Sequence, residues 1–308
     1  MGSFLARWGI GRNSYSINSG LYAVGTPGPS SHVLVTANYK MSFDALRQEL
    51  SGLDLWLLVL DTRGVNVWCA AGKGTFGTSE LIKGIDATNL RGLIAHRVAI
   101  LPQLSASGVA AHEVLRQSGF RVVYGPVRAS DVKAFLAASL LASQDMRTIR
   151  FSLWERVVLI PLELGMSAKY LVPLGGIALA LHVLGVSELL VHSLLAGIGA
   201  VLWGIALFPV FLPLLPGRAF TAKGWLLGFI YSGLLILHVP APDPWVFLAY
   251  LLLFPPLTSF MALNFTGSCT FTSVSGVKRE VAIALPLIIL SLALGSLGLG
   301  LHFLMGGN

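Results

Sequence analysis

Charge is what this chain of 308 residues has least of: Asp, Glu, Lys and Arg make up 11% of it, against roughly a quarter of an ordinary soluble domain. The shortage is local. Residues 1–156 carry 16 of the 21 Lys and Arg and 10 of the 14 Asp and Glu, whereas residues 157–308 carry five and four. The first half therefore reads as a soluble domain and the second as a segment that lives in lipid. Cysteine is scarcer still. Cys69 and Cys269 stand far apart, so the sequence offers no disulfide framework, no CxxC metal site and no set of cysteines for an intrinsic iron–sulfur cluster. Any electrons the protein uses are then expected from another protein. Lys and Arg form no run. The +6 of the first half (16 minus 10) is scattered, without a basic stripe interleaved with aromatics, and nucleic-acid binding is not expected. A basic domain beside a bilayer suits an anionic inner leaflet instead. The opening residues Met1–Arg7 are too short and lack the apolar core of a cleavable signal peptide.

What is abundant is apolar sequence. Stretches long enough to cross a bilayer lie at 167–185, 188–215, 224–240, 244–263 and 281–305. This predicts an all-α transmembrane domain of five helices over 167–308, preceded by a linker at 146–166 and a soluble domain at 1–145. The linker reads as an interfacial helix anchored by Trp154. Arg218, Lys223, Lys278 and Arg279 fall in loops on one side of such a bundle, and the loops around Val186 and Ala241 hold no Lys or Arg. By the positive-inside rule the soluble domain is cytoplasmic and the chain is a multi-pass inner-membrane protein. His182, His192, His238 and His302 lie near span ends, where interfacial or packing roles are expected. Without acidic partners at mid-membrane depth no ion pathway is expected, and the membrane half reads as an anchor.

In the first half, Val33–Thr36, Leu55–Asp61, Arg97–Leu101 and Arg121–Tyr124 read as strands, and helix-like stretches near 42–50, 110–118 and 130–138 lie between and after them. The second of these strands is a near-continuous apolar run, as in a strand buried on both faces. Such alternation predicts an α/β domain with a parallel sheet, whose ligands bind outside the carboxyl ends of the strands. Near those ends stands Trp68-Cys69-Ala70-Ala71-Gly72-Lys73, whose alanines favour a helix with Cys69 in its first turn. The positive end of a helix and a Lys at i+4 both favour thiolate, the form that ligates metals. A buried structural cysteine beside a core tryptophan is the competing reading. Three motif matches are set aside. Gly72–Gly77 matches GxGxxG but follows a helix-like segment and lacks the acidic residue about twenty positions on. The Gly72-Lys73 pair lacks the glycine spacing of a phosphate loop. Asn264-Phe265-Thr266, a glycosylation match, falls on the cytoplasmic edge of the expected topology.

The segment Asn66-Val67-Trp68-Cys69-Ala70-Ala71-Gly72-Lys73 resembles the cap-helix signature of the corrinoid mercury methyltransferase family (HgcA). Val33–Lys40 resembles the first strand of that family and Leu101-Pro102-Gln103-Leu104 a later one, and a five-span tail fits it too. More distantly, the chain is similar to the large subunit of the corrinoid iron–sulfur protein of acetyl-CoA synthesis, which carries cluster cysteines that this chain lacks. The resemblance implies a Rossmann-like corrinoid-binding domain with cobalamin as cofactor and Cys69 as axial cobalt ligand and catalytic residue. It places Asn66, Val67, Trp68, Ala70, Gly72 and Lys73 in the cap. It puts Thr36, Asn38, Ser42 and Ala129 at strand ends or helix starts where the corrinoid is held.

The activity it implies is that of a corrinoid-dependent methyltransferase carrying a methyl group to Hg(II), in anaerobic one-carbon metabolism. Methyltetrahydrofolate or its carrier protein is the implied methyl donor. A ferredoxin-like iron–sulfur protein is the implied reductant, with residues 267–279 as one candidate docking surface. Two further readings stay open: a membrane-bound corrinoid methyl carrier of acetyl-CoA-pathway type, and a non-catalytic corrinoid-binding scaffold or sensor. Cys269 is expected to be a small buried residue at a helix end rather than a mercury relay.

Overall fold

The computed structural model describes residues 2–237, 243–269 and 271–305. It falls into two compact units. One holds Gly11–Arg150 with the first residues of the chain, and the other holds Phe151 onward with Arg7–Ile10.

The first unit begins with the short helix α1 (Gly2–Arg7) and continues through β1 (Gly20–Val24), β2 (Val33–Ala37), α2 (Lys40–Glu49) and β3 (Leu55–Leu60). Three helices follow: α3 (Val67–Lys73), α4 (Thr78–Ala87) and α5 (Leu90–Leu93). Then come β4 (Val98–Leu101), α6 (Ala111–Ser118), β5 (Arg121–Tyr124), α7 (Val132–Ala137) and α8 (Gln144–Arg147). The sheet order is β1-β3-β2-β4-β5. Strands β2 to β5 pair in parallel, and β1 runs antiparallel along the β3 edge, Gly20 opposite Val59.

Every residue of β2 is buried, because helices cover both faces. Val33, Val35 and Ala37 pack with residues of α3, α4 and α6, while Leu34 packs with Phe43 of α2 and with Val132 and Phe135 of α7. The period of two in the strand thus becomes two separate cores. The chain leaves β2 for β3 on one side and returns to β4 on the other. A switch point therefore lies between the carboxyl ends of β2 and β4, where open sheets of this kind bind ligands.

The second unit opens with α9 (Leu153–Val157), started by a capping box between Ser152 and Glu155. It continues with α10 (Ile160–Val183), α11 (Glu188–Phe211), α12 (Phe220–Ile236), α13 (Pro244–Phe265) and α14 (Val274–Leu304). Four stretches are long and apolar enough to cross a membrane: Leu153–Val183, Glu188–Phe211, Pro244–Ser268 and Ser275–Leu304. The third expected span is different. It corresponds to α12, which has 17 residues and is about 25 Å long at 1.5 Å per residue, short of a ~30 Å hydrocarbon core. Its expected end at 238–240, with His238, lies outside the described residues.

Lys223 and Glu163 also depart from expectation. Lys223 is not in a loop but in the first turn of α12, buried, and its Nζ donates to Leu212 O at 2.9 Å. Arg156, buried as well, donates to Pro209 O at 3.0 Å. Together they satisfy carbonyls at the end of α11 that have no partner within the helix. The first span begins earlier than expected and includes Glu163, whose carboxylate accepts from Ser268 Oγ at 3.3 Å. His192 Nδ1 lies 2.7 Å from Glu188 O within its own helix, and His302 is buried beside Asp243.

Helix α13 is the hub of this unit. Its Thr258 and Ser259, both fully buried, donate to Ala200 O on α11 and Thr221 O on α12. Small residues let the backbones approach, as is usual where lipid supplies no hydrophobic drive between helices. A Cβ on Gly224 would sit 2.6 Å from Ser259 Cα, and one on Gly228 would collide with Pro255 Cα. Gly233, one turn further on, faces nothing within 4 Å. Gly228→Leu is therefore expected to lower the apparent melting temperature of the detergent-solubilised protein, at the upper end of the ~1–3 kcal/mol cost of overpacking. Gly233→Leu should change it little. Equal effects of the two substitutions in a thermal scan would contradict this packing.

Candidate functional site

Cys69 sits in the first turn of α3, the seven-residue helix that follows β3. Asn66 is its N-cap: the side-chain Oδ1 accepts from Cys69 N at 2.9 Å. The helix ends at Gly74, which adopts φ 81°, a left-handed conformation suited to glycine. A helix this short carries little macrodipole, so the amide cap, rather than the dipole expected from the sequence, orders the turn that holds the thiol. Cys69 is free and half-buried. Trp68 is half-buried beside it, and Lys73 and Gly72 are exposed at the other end. Gly72 and Gly74 thus belong to the end of a helix, which is why the GxGxxG match is not a strand-to-helix phosphate turn.

The alanines have a geometric reason. Ala70 and Ala71 are buried in the core shared with β2, β3 and β4. Ala71 lies against Gly108, where an added Cβ would stand 3.0 Å from Ala71 Cα and 2.5 Å from Phe76 O. Only glycine at 108 and a small residue at 71 allow that approach. The loop bearing Gly108 is itself gripped from two sides. Tyr124, at the carboxyl end of β5, donates its hydroxyl to Val109 O at 2.5 Å, and Thr78 of α4 accepts from Ala110 N at 2.9 Å. Burial pushes the Tyr124 phenol above its ordinary value near 10, which keeps it a donor.

Asn38, expected to touch a cofactor, is hydrogen-bonded within the protein. Its Oδ1 accepts from Thr62 N at 3.1 Å and from Gly64 N at 3.0 Å, and its Nδ2 donates to Asp61 Oδ1 at 3.0 Å. The Thr62 hydroxyl lies 2.8 Å from Asn38 Oδ1 and 2.6 Å from Val65 O, sharing one proton between them. One amide thus holds the turn that leads from β3 into Asn66 and Cys69. Within that turn Arg63 and Gly64 both take positive φ, 57° and 69°.

The remaining expected residues divide between the two sides of the sheet. Thr36 is buried one residue before the end of β2, and alternation puts it on the Leu34 face, away from α3. Ser42, half-buried in the first turn of α2, and Ala129, half-buried at the start of a short 3-10 turn (Ala129–Asp131), lie on elements that pack together on that same side. Asn66, Val67, Trp68, Cys69, Ala70 and Lys73 lie on the other. Sequence reasoning missed Gly108, Thr62 and Tyr124; the signal for Gly108 was a glycine in the loop that follows β4, at the edge where ligands are expected.

The donor set suits one kind of metal group. Among the described residues no three His, Cys, Asp or Glu side chains come together, so a bare ion would find one thiol without companions. A metal that brings its own equatorial ring needs only a single axial donor, which Cys69 can supply. Just past α3, the Thr75 hydroxyl oxygen is buried without a hydrogen-bond partner among the described residues, an arrangement that costs about 1–3 kcal/mol.

Comparison with known proteins bears on this half of the chain. Residues 11–136 match the family of the CO dehydrogenase/acetyl-CoA synthase delta subunit. That stretch contains all five strands and Cys69. The chain is 30% identical over 127 residues to the gamma subunit of the acetyl-CoA decarbonylase/synthase complex of Archaeoglobus fulgidus, covering 41% of this chain and 27% of that one. The gamma subunit of Methanopyrus kandleri is 32% identical over 128 residues, with 41% and 27% covered, and that of Methanocaldococcus jannaschii 31% over 127, with 41% and 26%. The chain thus spans about a quarter of the length of the curated relatives it matches.

Proposed function

We propose that the α/β half is a corrinoid-dependent methyl-transfer domain tethered to a membrane, with Cys69 as axial donor to the cobalt of cobalamin. The observation that carries this reading is the free Cys69 thiol on a capped, closely seated helix at the carboxyl edge of a parallel sheet, within the stretch that matches the acetyl-CoA synthase family. When bound, the corrinoid supplies a metal that takes up and gives away a methyl group. The protein's part is to hold the donor. Asn66 orders the first turn, Ala70 and Ala71 seat the helix against Gly108, and Asn38 fixes the turn that enters it. Lys73, exposed in the last turn, stands four residues on from Cys69, where its ammonium can face the bound group. Thr36, Ser42 and Ala129 lie toward the opposite wall of the crevice between β2 and β4.

For the methyl acceptor, the Asn66–Lys73 segment supports Hg(II), because it resembles the cap of the corrinoid mercury methyltransferases. The relatives' membership of acetyl-CoA decarbonylase/synthase complexes supports a second reading, a membrane-bound methyl carrier of one-carbon metabolism. In both, a methylated folate or its carrier protein is the donor and a ferredoxin-like iron–sulfur protein the reductant. The single end of the bundle that collects Arg218, Lys223, Lys278 and Arg279 supports an inner-membrane location with the α/β half in the cytoplasm.

The test uses the full-length protein loaded with methylated cobalamin. Addition of Hg(II) is expected to discharge the methyl group as methylmercury. Discharge to a nickel centre or a small thiol, with Hg(II) ignored, would establish the one-carbon carrier instead. Bound corrinoid without turnover on any acceptor would leave a scaffold or sensor.

A further inference from the structure

We propose that the groove between the starts of α12 and α14 is a binding site for the phosphodiester headgroup of an anionic phospholipid, with an acyl chain laid along α14. This site lies wholly in the membrane half and does not depend on the corrinoid reading. The groove encloses about 770 Å³ and is lined by Arg218, Phe220, Thr221, Arg279, Glu280 and Ile283 among others. Arg218 and Arg279 are exposed, and among the described residues neither guanidinium group makes a hydrogen bond or an ion pair. Both residues line the one cavity, their guanidinium groups have no protein partner among the described residues, and such a donor set suits phosphate oxygens. The start of α12, where Ala219 makes no side-chain cap bond and Glu280 takes up the Thr221 amide, lines the same cavity.

Glu280 sets the charge of the ligand. Its Oε1 is held on the groove wall by Thr221 N at 2.7 Å and Thr221 Oγ1 at 2.8 Å. Two arginines and one carboxylate leave the groove at +1, which matches a singly charged phosphodiester better than a dianionic phosphate. The apolar side of the groove decides between a lipid and a free anion. Ile283, which lines it, begins a strip of exposed side chains on α14 that continues through Leu287, Leu290 and Leu294. These positions fall on one helix face, so a chain attached to the bound phosphate would run straight onto lipid-facing surface. A water-soluble anion would make no use of that strip.

The experiment reconstitutes the full chain in vesicles of equal phosphatidylglycerol and phosphatidylcholine, re-extracts it in mild detergent and quantifies the lipid that stays bound. Phosphatidylglycerol is expected to be retained over phosphatidylcholine. The double variant Arg218→Gln/Arg279→Gln should lower its retention about thirty-fold, from the usual contribution of two arginines near a membrane surface. Lys278→Gln, adjacent in sequence but outside the groove lining, should lower retention no more than about fivefold, the share of one surface cation. Both arginines are exposed and unpaired, so the double variant should keep the wild-type melting temperature. Equal retention of the two lipids, or an equal loss in Lys278→Gln, would overturn the site. Displacement of the lipid by millimolar inorganic phosphate would reassign it to free anions. If the double variant lost binding of an acidic iron–sulfur protein while keeping its lipid, the face would belong to protein docking.

Discussion

Cys69→Ala is expected to keep the fold and the bound corrinoid while losing methyl transfer. The substitution removes one sulfur from a half-buried position in the first turn of α3 and leaves the Asn66 cap, which bonds the backbone amide of residue 69, intact. Alanine also favours the helix. The change in stability should therefore be small, and the change in chemistry large. Loss of a group that merely supports a metal ligand typically costs 10–100-fold in activity, and loss of the sole protein donor should exceed about 100-fold. The visible spectrum of the bound cobalamin should change with it, because the axial donor sets the electronics of the metal. An unchanged spectrum in Cys69→Ala would remove Cys69 as the ligand. A changed spectrum with transfer to Hg(II) at the wild-type rate would separate ligation from catalysis.

The second large effect belongs to Asn38. Asn38→Ala deletes the acceptor shared by Thr62 N and Gly64 N, both on buried residues. Each buried amide left without a partner costs about 1–3 kcal/mol, so the expected loss is about 2–6 kcal/mol, a large part of the ~5–15 kcal/mol that holds a domain folded. Hydrogen exchange on the full chain should show faster exchange at Thr62 and Gly64 and onward into α3, whether or not cobalamin is bound. Modification of Cys69 by a thiol reagent should become faster and less uniform as the helix loosens. If the variant instead exchanges like wild type without cofactor and differs only with it, Asn38 contacts the cofactor directly, as its place at the end of β2 first implied.

Much of this architecture is legible in the amino-acid order. The runs at Val33–Ala37 and Leu55–Leu60 are apolar but for Thr36 because helices cover both sides of the sheet, and their lengths mark them as strands. β1 escaped notice: it is a half-exposed edge strand, Gly-Leu-Tyr-Ala-Val, with no strong period and a glycine at its start. The long apolar helices declare themselves by composition. The placement of Lys223 and Arg156 does not, since a cation beside an apolar run reads equally as a loop charge or as a cap on a neighbouring helix.

At the candidate site the same division holds. The order Asn66 to Lys73 by itself determined that a cysteine stands in the first turn of a short, alanine-rich helix, because capping, helix propensity and spacing are local properties. What that helix rests on was decided only by the tertiary structure. Gly108 and Asn38 lie far from Cys69 in the chain, and nothing in their own surroundings announces that one leaves room for Ala71 and the other ties down the turn at 61–64. Close approach and hydrogen-bond satisfaction are relations between distant segments, and they exist only once the sheet has brought those segments together.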